Sequence, residues 1–598
     1  FSFKRVVQEQ LAYLTIFGLL VTLACLAWFD MTGITGTLFG KMFVVDRMAI
    51  FFKVMILLAT ILVILLSIDY VHRFSLFRGE YYFLVAMSAL GMMFMASAND
   101  LLSLFVTLEF ATFGFYVLVS YLRDDMASNE AGLKFFILGV FAAGLLAYGI
   151  SLVYGETGKL VFSDMTGTAP TTGLVIGFLL IFAALGFKIG AVPFHSWIPD
   201  TYHGAPTPVT ALLSIAPKVA AFAILLRLFL VALATFKPAW ALLIVAASIL
   251  SMTYGNIVAI AQRNIKRLLA YSGIAQVGNV LIGLAAGTKM GTDSILFYLL
   301  TYLFANLGAF AVIMAISNSV GSDEIDDYRG LNRRSPFLAF AMLIFLLSLA
   351  GVPPLAGFIG KLYIFVAAIK EGLYILITVG LVNIVVSMYD YWNVVKKMYI
   401  NEPLDSSPIK TTGPLRAVIY VGLAGTLVIG IYPQPFLDWA VAATLMFSNL
   451  VGPAASLTPP VTPSGAEDSS GVAVLDFHQF SSRINTFWYN GLCRLSTASK
   501  PLTRIARAPV RLSRSFHCNH ERTEPPPTPR RRARRPISRR AAGRTASEPS
   551  VVLHAAVSNI SEAINRTACP RWIRARLCRH PGHFRHFLSQ HDGPDSKW

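Results

Sequence analysis

The sequence predicts an all-α, polytopic membrane protein with about 13 transmembrane helices. Three observations lead there. Of the 598 residues, 55% are hydrophobic and only 14% charged, where an ordinary soluble protein has roughly 25% charged residues. The mean hydropathy is +0.61. Apolar stretches of the about 17–25 residues that cross a bilayer recur along the first three quarters of the chain.

Taken in order, the stretches lie near residues 11–28, 48–67, 82–98, 101–121, 134–154, 174–194, 208–232, 239–261, 268–287, 294–316, 337–370, 374–399 and 416–436. The eleventh is too long for one helix and contains "LAGVPPLAGFIGK", so it reads as one helix broken at Pro353 and Pro354. In lipid such a break is tolerated only where protein or water satisfies the freed backbone groups. The chain starts at Phe1 and shows no basic segment followed by a short apolar core and small-residue cleavage site, so no signal peptide is expected and the start reads as the interior of a longer parent chain.

Loop charges set the orientation. The loops after the second, fourth, eighth, tenth and twelfth spans carry His72, Arg73, Arg78, Arg123, Arg263, Lys266, Arg267, Arg329, Arg333, Arg334, Lys396, Lys397, Lys410 and Arg416. The alternate loops hold only scattered lysines and Arg47. The first set is expected on the cytoplasmic or matrix side.

Four membrane parts and a tail are expected: N-terminal helices over 1–80, two repeats over 81–235 and 236–400, a last span within 401–455, and a basic tail over 456–598. From 461 onward the chain has 21 Arg and 2 Lys against 9 acidic residues, with Pro/Arg-rich runs that read as disordered. Cys493, Cys518, Cys569 and Cys578 have no zinc-type spacing. The tail reads as a solvated extension rather than a nucleic-acid arm, and no function is attached to it.

Five ionisable residues inside or at the ends of the spans carry the functional signal: Glu109 in "LLSLFVTLEFATFGFYV", Lys134, Lys188, Lys218 and Lys361. A charge at mid-membrane costs at least about 2.5–3.5 kcal/mol, so a fold carries several only by pairing or using them. For Lys134, near a span end, snorkelling to the interface is an equal reading. Burial makes an ammonium a readier proton donor and a nearby carboxylate reverses that, so carboxylate and lysines together form a proton-handling device. "KIGAVPFHSW" and "GVPPLAGFIGK" each join a lysine to a Pro/Gly break, at Pro193 and at Pro353 and Pro354. Paired discontinuous helices near the midplane are the mark of inverted-repeat transporters.

The stretches "LEFATFGFYVLVSY", "SNEAGLKFFILGVFAAGLLAYGISLVYGETG", "FKIGAVPFHSWIPDTYHGAPTPVTALLSIAPKVA" and "LAGVPPLAGFIGKLYIF" closely resemble the antiporter-like membrane subunits of respiratory complex I, subunit N above all. The resemblance covers about residues 1–450. It implies fourteen helices in two inverted five-helix repeats, of which the first helix is missing here. It implies that Glu109 is the essential helix glutamate, Lys188 the lysine of the first broken helix, Lys218 the connecting lysine and Lys361 the lysine of the second broken helix. The family commonly has His where Gln276 stands and Tyr where Asn279 stands. Gln carries no proton near neutral pH, so a step like that of the family's histidine uses water here, with Tyr271, Ser272 and Asn306 as candidates to hold it, or lies elsewhere.

His195 and His203 lack a third ligand and are expected to anchor and cap the first break, with no metal. No dinucleotide, P-loop or cluster motif occurs in the membrane part, so no cofactor is expected in this chain; quinone, FMN and iron–sulfur clusters are expected in partner subunits. The expected function is proton translocation coupled to quinone reduction in neighbouring complex I subunits, in a bacterial inner membrane or alternatively a mitochondrial one. Other expected contacts are lipid, and no nucleic acid. A subunit of a multi-subunit cation/proton antiporter or of a membrane-bound hydrogenase remains open.

Overall fold

The computed structural model describes residues 5–74, 78–167, 171–403, 405 and 407–448. The basic tail over 456–598, with its four cysteines, lies outside the described residues.

In chain order, the helices begin with α1 (Arg5–Thr32), followed by a small antiparallel ribbon of β1 (Gly36–Leu38) and β2 (Phe43–Val45). Then come α2 (Arg47–Phe74), α3 (Arg78–Ser97), α4 (Leu101–Val119), α5 (Met126–Thr157), α6 (Thr172–Ile189), α7 (Trp197–Gly204) and α8 (Thr207–Arg227), which runs on through a π turn at Leu228–Ala232. The second half has α9 (Lys237–Ile260), α10 (Ile265–Ala286), α11 (Lys289–Val320), α12 (Leu331–Arg334), α13 (Pro336–Ala350), α14 (Ala356–Lys370), α15 (Tyr374–Tyr399), α16 (Gly413–Ile431) and α17 (Gln434–Ser448).

Among the described residues, 12 helices are long and apolar enough to cross a membrane, and Pro336–Ala350 is a shorter apolar one. Joined to α14, α13 forms the eleventh expected crossing and brings the total to thirteen. The expected last span, 416–436, ends at Ile431 instead. The chain turns at Pro433 and forms α17, which the sequence reading missed because 15 residues are too few to cross lipid. This helix packs on α2 and α11. Ribbon β1–β2 was missed too, its three-residue strands being shorter than any alternation signal.

Loop contacts sort the chain ends into two faces. At one face Asn99 donates to the carbonyls of Lys41 and Met42, the Leu101 N–H to Leu160 and the Thr166 hydroxyl to Val231, while Lys237 pairs with Glu371 at 3.1 Å. At the other face Lys266 pairs with Asp323 at 2.8 Å, the Gly330 N–H donates to the Lys397 carbonyl and Arg334 to that of Ser407. Lys134 and Arg267 meet on Asp200 at this same face. The loops therefore alternate as the crossings demand, and the basic loops share one face.

Helices α8, α10 and α11 form the interior and are almost wholly buried. By contrast α1, α5 and α15 present large apolar side chains outward, among them Phe17, Phe141 and Val385. That is the pattern of helices facing lipid or partner subunits.

Two halves of the chain repeat one another. Asp100 caps α4 and pairs with Val161; Asn264 caps α10 and pairs with Glu324. Each cap receives a short 3₁₀ turn, Phe162–Met165 or Ile325–Tyr328. One cap lies at each face, so the repeats are inverted. The breaks match as well. Helix α6 stops at Gly190 (φ 78°) and α13 at Gly351 (φ 90°), both left-handed positions that favour glycine. Their N–H groups and those of Ala191 and Val352 close onto the last turn in the same pattern. Pro193 and Pro354 each follow three residues later.

The breaks are satisfied by protein, as lipid requires. The Ser251 hydroxyl accepts the Val192 N–H at 2.9 Å, and the Trp197 indole donates to the Phe187 carbonyl at 2.8 Å. The Ser348 hydroxyl accepts the Gly357 N–H at 3.1 Å.

Candidate functional site

A row of polar groups occupies the interior, starting where α4 meets α6. Lys188 sits in the last turn of α6, one turn before the break, and is only 8% exposed. Its ammonium donates to the Thr112 hydroxyl at 2.8 Å. The Glu109 carboxylate lies 4.0 Å away, and its Oε1 accepts no hydrogen bond among the described residues. At 4 Å two unit charges attract by about 4 kcal/mol for an effective dielectric of 20, while removing each ion from water costs several kcal/mol. The attraction offsets only part of that cost, and at 4.0 Å the pair is an open contact rather than a hydrogen-bonded one.

Rings lead from this pair to the next lysine. The Lys188 ammonium is 5.6 Å from the Phe187 ring centre. Phe187 stacks on Trp197 at 5.3 Å, and Trp197 on Tyr202 at 6.4 Å. Tyr202 in turn lies 6.0 Å from the Lys218 ammonium.

Lys218 is 2% exposed, near the middle of α8 and directly after Pro217. Proline has no N–H, so the carbonyl of Leu213, four residues earlier, loses its helical partner. The Tyr202 hydroxyl donates to that carbonyl at 3.3 Å. The ammonium itself donates to the Gly273 carbonyl at 3.3 Å and lies 5.8 Å from the Tyr302 ring. A side chain at Gly273 would put its Cβ 2.9 Å from Nζ, so the ammonium would have to shift to keep its contact with α10. Gly273 stands in α10 nine residues after its cap, as Glu109 stands in α4 nine residues after its own.

On α10 the row continues through Gln276. Its amide donates to the Leu349 carbonyl at 2.9 Å, and its oxygen accepts from the Tyr298 hydroxyl and from Asn279. Lys361, 4% exposed on α14, donates to the same Leu349 carbonyl at 2.9 Å and to that of Ala350 at 3.0 Å. These carbonyls end α13 and are free because the helix breaks there. Ser272, one turn before Gln276, shares a 2.5 Å hydrogen bond with the Tyr391 hydroxyl of α15. Asn306 on α11 donates to Ser214 of α8 at 2.6 Å.

The structure thus brings Glu109 to Lys188, and Ser272, Gln276 and Lys361 into one cluster, with Lys218 held against it through α10. Lys134 is not part of the row. Its ammonium lies at the surface of α5, paired with Glu130 and Asp200 at 2.8 Å each. Tyr271 turns toward Tyr254 of α9, against which His195 also packs. Among the described residues no group of three or more His, Cys, Asp or Glu could hold a metal ion.

Sequence reasoning missed Thr112, Gly273, Tyr202, Tyr298, Tyr302 and Tyr391. One signal was available: Thr112 follows Glu109 by three, and Ser272 precedes Gln276 by four, spacings that share a helix face. The tyrosines come from other helices and carry no such mark.

A sequence model of the family described as NADH:quinone oxidoreductase/Mrp antiporter, TM, matches residues 98–387. NADH-quinone oxidoreductase subunit N of Heliobacterium modesticaldum is 46% identical over 447 residues, 74% of this chain and 94% of that protein. The chain belongs to the NADH-quinone oxidoreductase subunit N family. The subunit N of Desulforamulus reducens is 43% identical over 416 residues, 69% of this chain and 87% of its own length. Among solved structures, a chain of respiratory complex I from Thermus thermophilus with bound aureothin superposes with a TM-score of 0.63 at 33% identity, covering 73% of this chain and 95% of that one. As a subunit N family member, the chain is a multi-pass membrane protein of the bacterial inner membrane that works among other membrane subunits.

Proposed function

We propose that the chain carries protons through the row Glu109, Lys188, Lys218, Gln276 and Lys361, driven by quinone reduction in partner subunits that hold the quinone, FMN and iron–sulfur clusters. The observation that carries this reading is the row itself. Three ammonium groups are buried, Lys188 between α6 and α4, Lys218 on α8 and Lys361 on α14 against the end of α13, and their acceptors are hydroxyls, carbonyls and ring faces rather than closed ion pairs. A purely structural interior would have replaced such charges with apolar side chains of similar size at no loss of stability. Glu109 sets the charge on Lys188; Lys218 joins the two repeats, 81–235 and 236–400; Lys361 ends the row at the second break. Gln276 holds the position where a titrating histidine would relay the proton, so water ordered by Gln276, Ser272 and Tyr298 takes that step. Lys134, with Asp200 and Arg267, holds α7 in place.

The test is proton uptake by proteoliposomes of the whole complex carrying Glu109→Gln or Lys218→Ala. Both variants are expected to lower protons moved per NADH oxidised at least several-fold while the complex stays assembled. Wild-type stoichiometry in both would remove these residues from the path.

A further inference from the structure

Beyond the row, one buried carboxylate has no task. Asp390 lies on α15, is 3% exposed, and its Oδ1 accepts no hydrogen bond among the described residues. Leaving an ionised carboxylate oxygen unpartnered and dry costs several kcal/mol, so its placement calls for a reason.

Asp390 lines a cavity of about 270 Å³ with more polar than apolar lining, at the face of the basic loops. That volume holds several waters at about 30 Å³ each. Its mouth is set by Gln262, Lys396, Lys397 and Asn401, and its wall by Asn393. Asp390 is seven residues inward of Lys397 along α15, or about 10 Å of helix rise. On the α10 side the cavity ends at Leu268. Ser272 stands one turn deeper on that face, bonded to Tyr391, and Gln276 one turn deeper again.

We propose that Asp390 is a proton-loading carboxylate at the inner end of an aqueous inlet on the basic face, feeding the Ser272–Tyr391 hydroxyl pair and through it the Gln276–Lys361 cluster. The proposal rests on the proton row described above and gives it a mouth. At each hand-off one O–H bond breaks and one O–H bond forms, or an N–H bond at Lys361. Asp390 takes a proton from cavity water, each hydroxyl accepts a proton on its oxygen while releasing its own, and Lys361 takes the proton on a neutral amine nitrogen. The groups facing Asp390 are suited to this. Lys397 is already bound to Asp326 at 2.7 Å and Lys396 lies at the mouth, so among the described residues no cation pairs with the Asp390 carboxylate.

Two measurements on the full complex test it. Asn393→Cys, placed in the cavity wall, is expected to react with a membrane-impermeant thiol reagent from the face that also labels Arg263→Cys, an exposed position on a basic loop. Labelling reads water access and not turnover, so it fails independently of the proton row. Asp390→Asn is expected to lower proton uptake at least fivefold, with Asp390→Glu restoring most of it, which a packing role would not do. Absence of Asn393→Cys labelling, labelling from the opposite face, or wild-type uptake in Asp390→Asn overturns the proposal. Should Asp390→Asn fail to assemble, the labelling result in the otherwise native complex decides alone.

Discussion

Gln276 and Lys361, on different helices, donate to one carbonyl oxygen, that of Leu349, each at 2.9 Å. A carbonyl has two lone pairs and can take both. The oxygen is free because α13 ends two residues later at Gly351, so the helix break itself supplies the acceptor. The inverted repeat explains the arrangement. Leu349 precedes its break by two residues as Lys188 precedes Gly190, and Gln276 follows its cap by twelve as Thr112 follows Asp100. In the first repeat the side chains of Lys188 and Thr112 meet; in the second, a side-chain amide meets a main-chain carbonyl, and Lys361 is added from α14.

Gln276→Leu is therefore expected to cost about 1–3 kcal/mol, because the Tyr298 hydroxyl and the Asn279 amide lose a buried acceptor. Thermal denaturation of the purified complex should show a lower midpoint, and proton uptake should fall. Gln276→His keeps a ring N–H for the Leu349 carbonyl and adds a titrating group. It should retain uptake at or near the wild-type level. Full uptake in Gln276→Leu would show that the amide holds nothing the path needs.

Gly273→Ala isolates the Lys218 contact. Alanine favours a helix interior over glycine by about 1 kcal/mol, so the backbone is not harmed. The new Cβ would stand 2.9 Å from the ammonium and 3.3 Å from the Tyr302 hydroxyl, pushing Lys218 off α10. Proton uptake per NADH is expected to fall several-fold in a complex that assembles normally. If uptake is unchanged, the Lys218–Gly273 contact is incidental.

The crossings were legible because a bilayer demands length and apolarity together, and few other folds supply both. Buried charges were legible for the same reason: lipid makes Glu109, Lys188, Lys218 and Lys361 conspicuous. What stayed hidden has a physical cause. Gly273 acts through the side chain it lacks, and nothing in its neighbours marks it. Tyr202 and Tyr391 act through hydroxyls whose partners, Leu213 and Ser272, lie on other helices. Lys134 was a candidate member of the row, with snorkelling an equal reading because it stands near a span end. The helix begins earlier, at Met126, which leaves Lys134 exposed beside Asp200. Asp390 was passed over although it lies nine residues inside the end of the 374–399 span; the stretch turns polar toward Lys396 and Lys397, and only the fold shows that the carboxylate is buried.

The mouth of the Asp390 cavity carries its own pH dependence. Asp326, in the loop after α11, bridges to Lys397 at 2.7 Å and to Arg329 at 3.3 Å. The hydrogen bond from Lys397 holds the Asp326 carboxyl below the usual carboxylate range, and both cations add to this. A carboxyl depressed in the folded state contributes stability that is present above its unfolded value, about 3.9, and is lost as pH falls through the folded one. The tether between this loop and the end of α15 is thus intact at neutral pH and released only in acid. Hydrogen exchange of the Ile325–Tyr328 amides is expected to rise as pH drops below about 4, after correction for the intrinsic rate. Asp326→Asn should show raised exchange at pH 7 and no further acid step. An acid step of equal size in that variant would assign the release to another group.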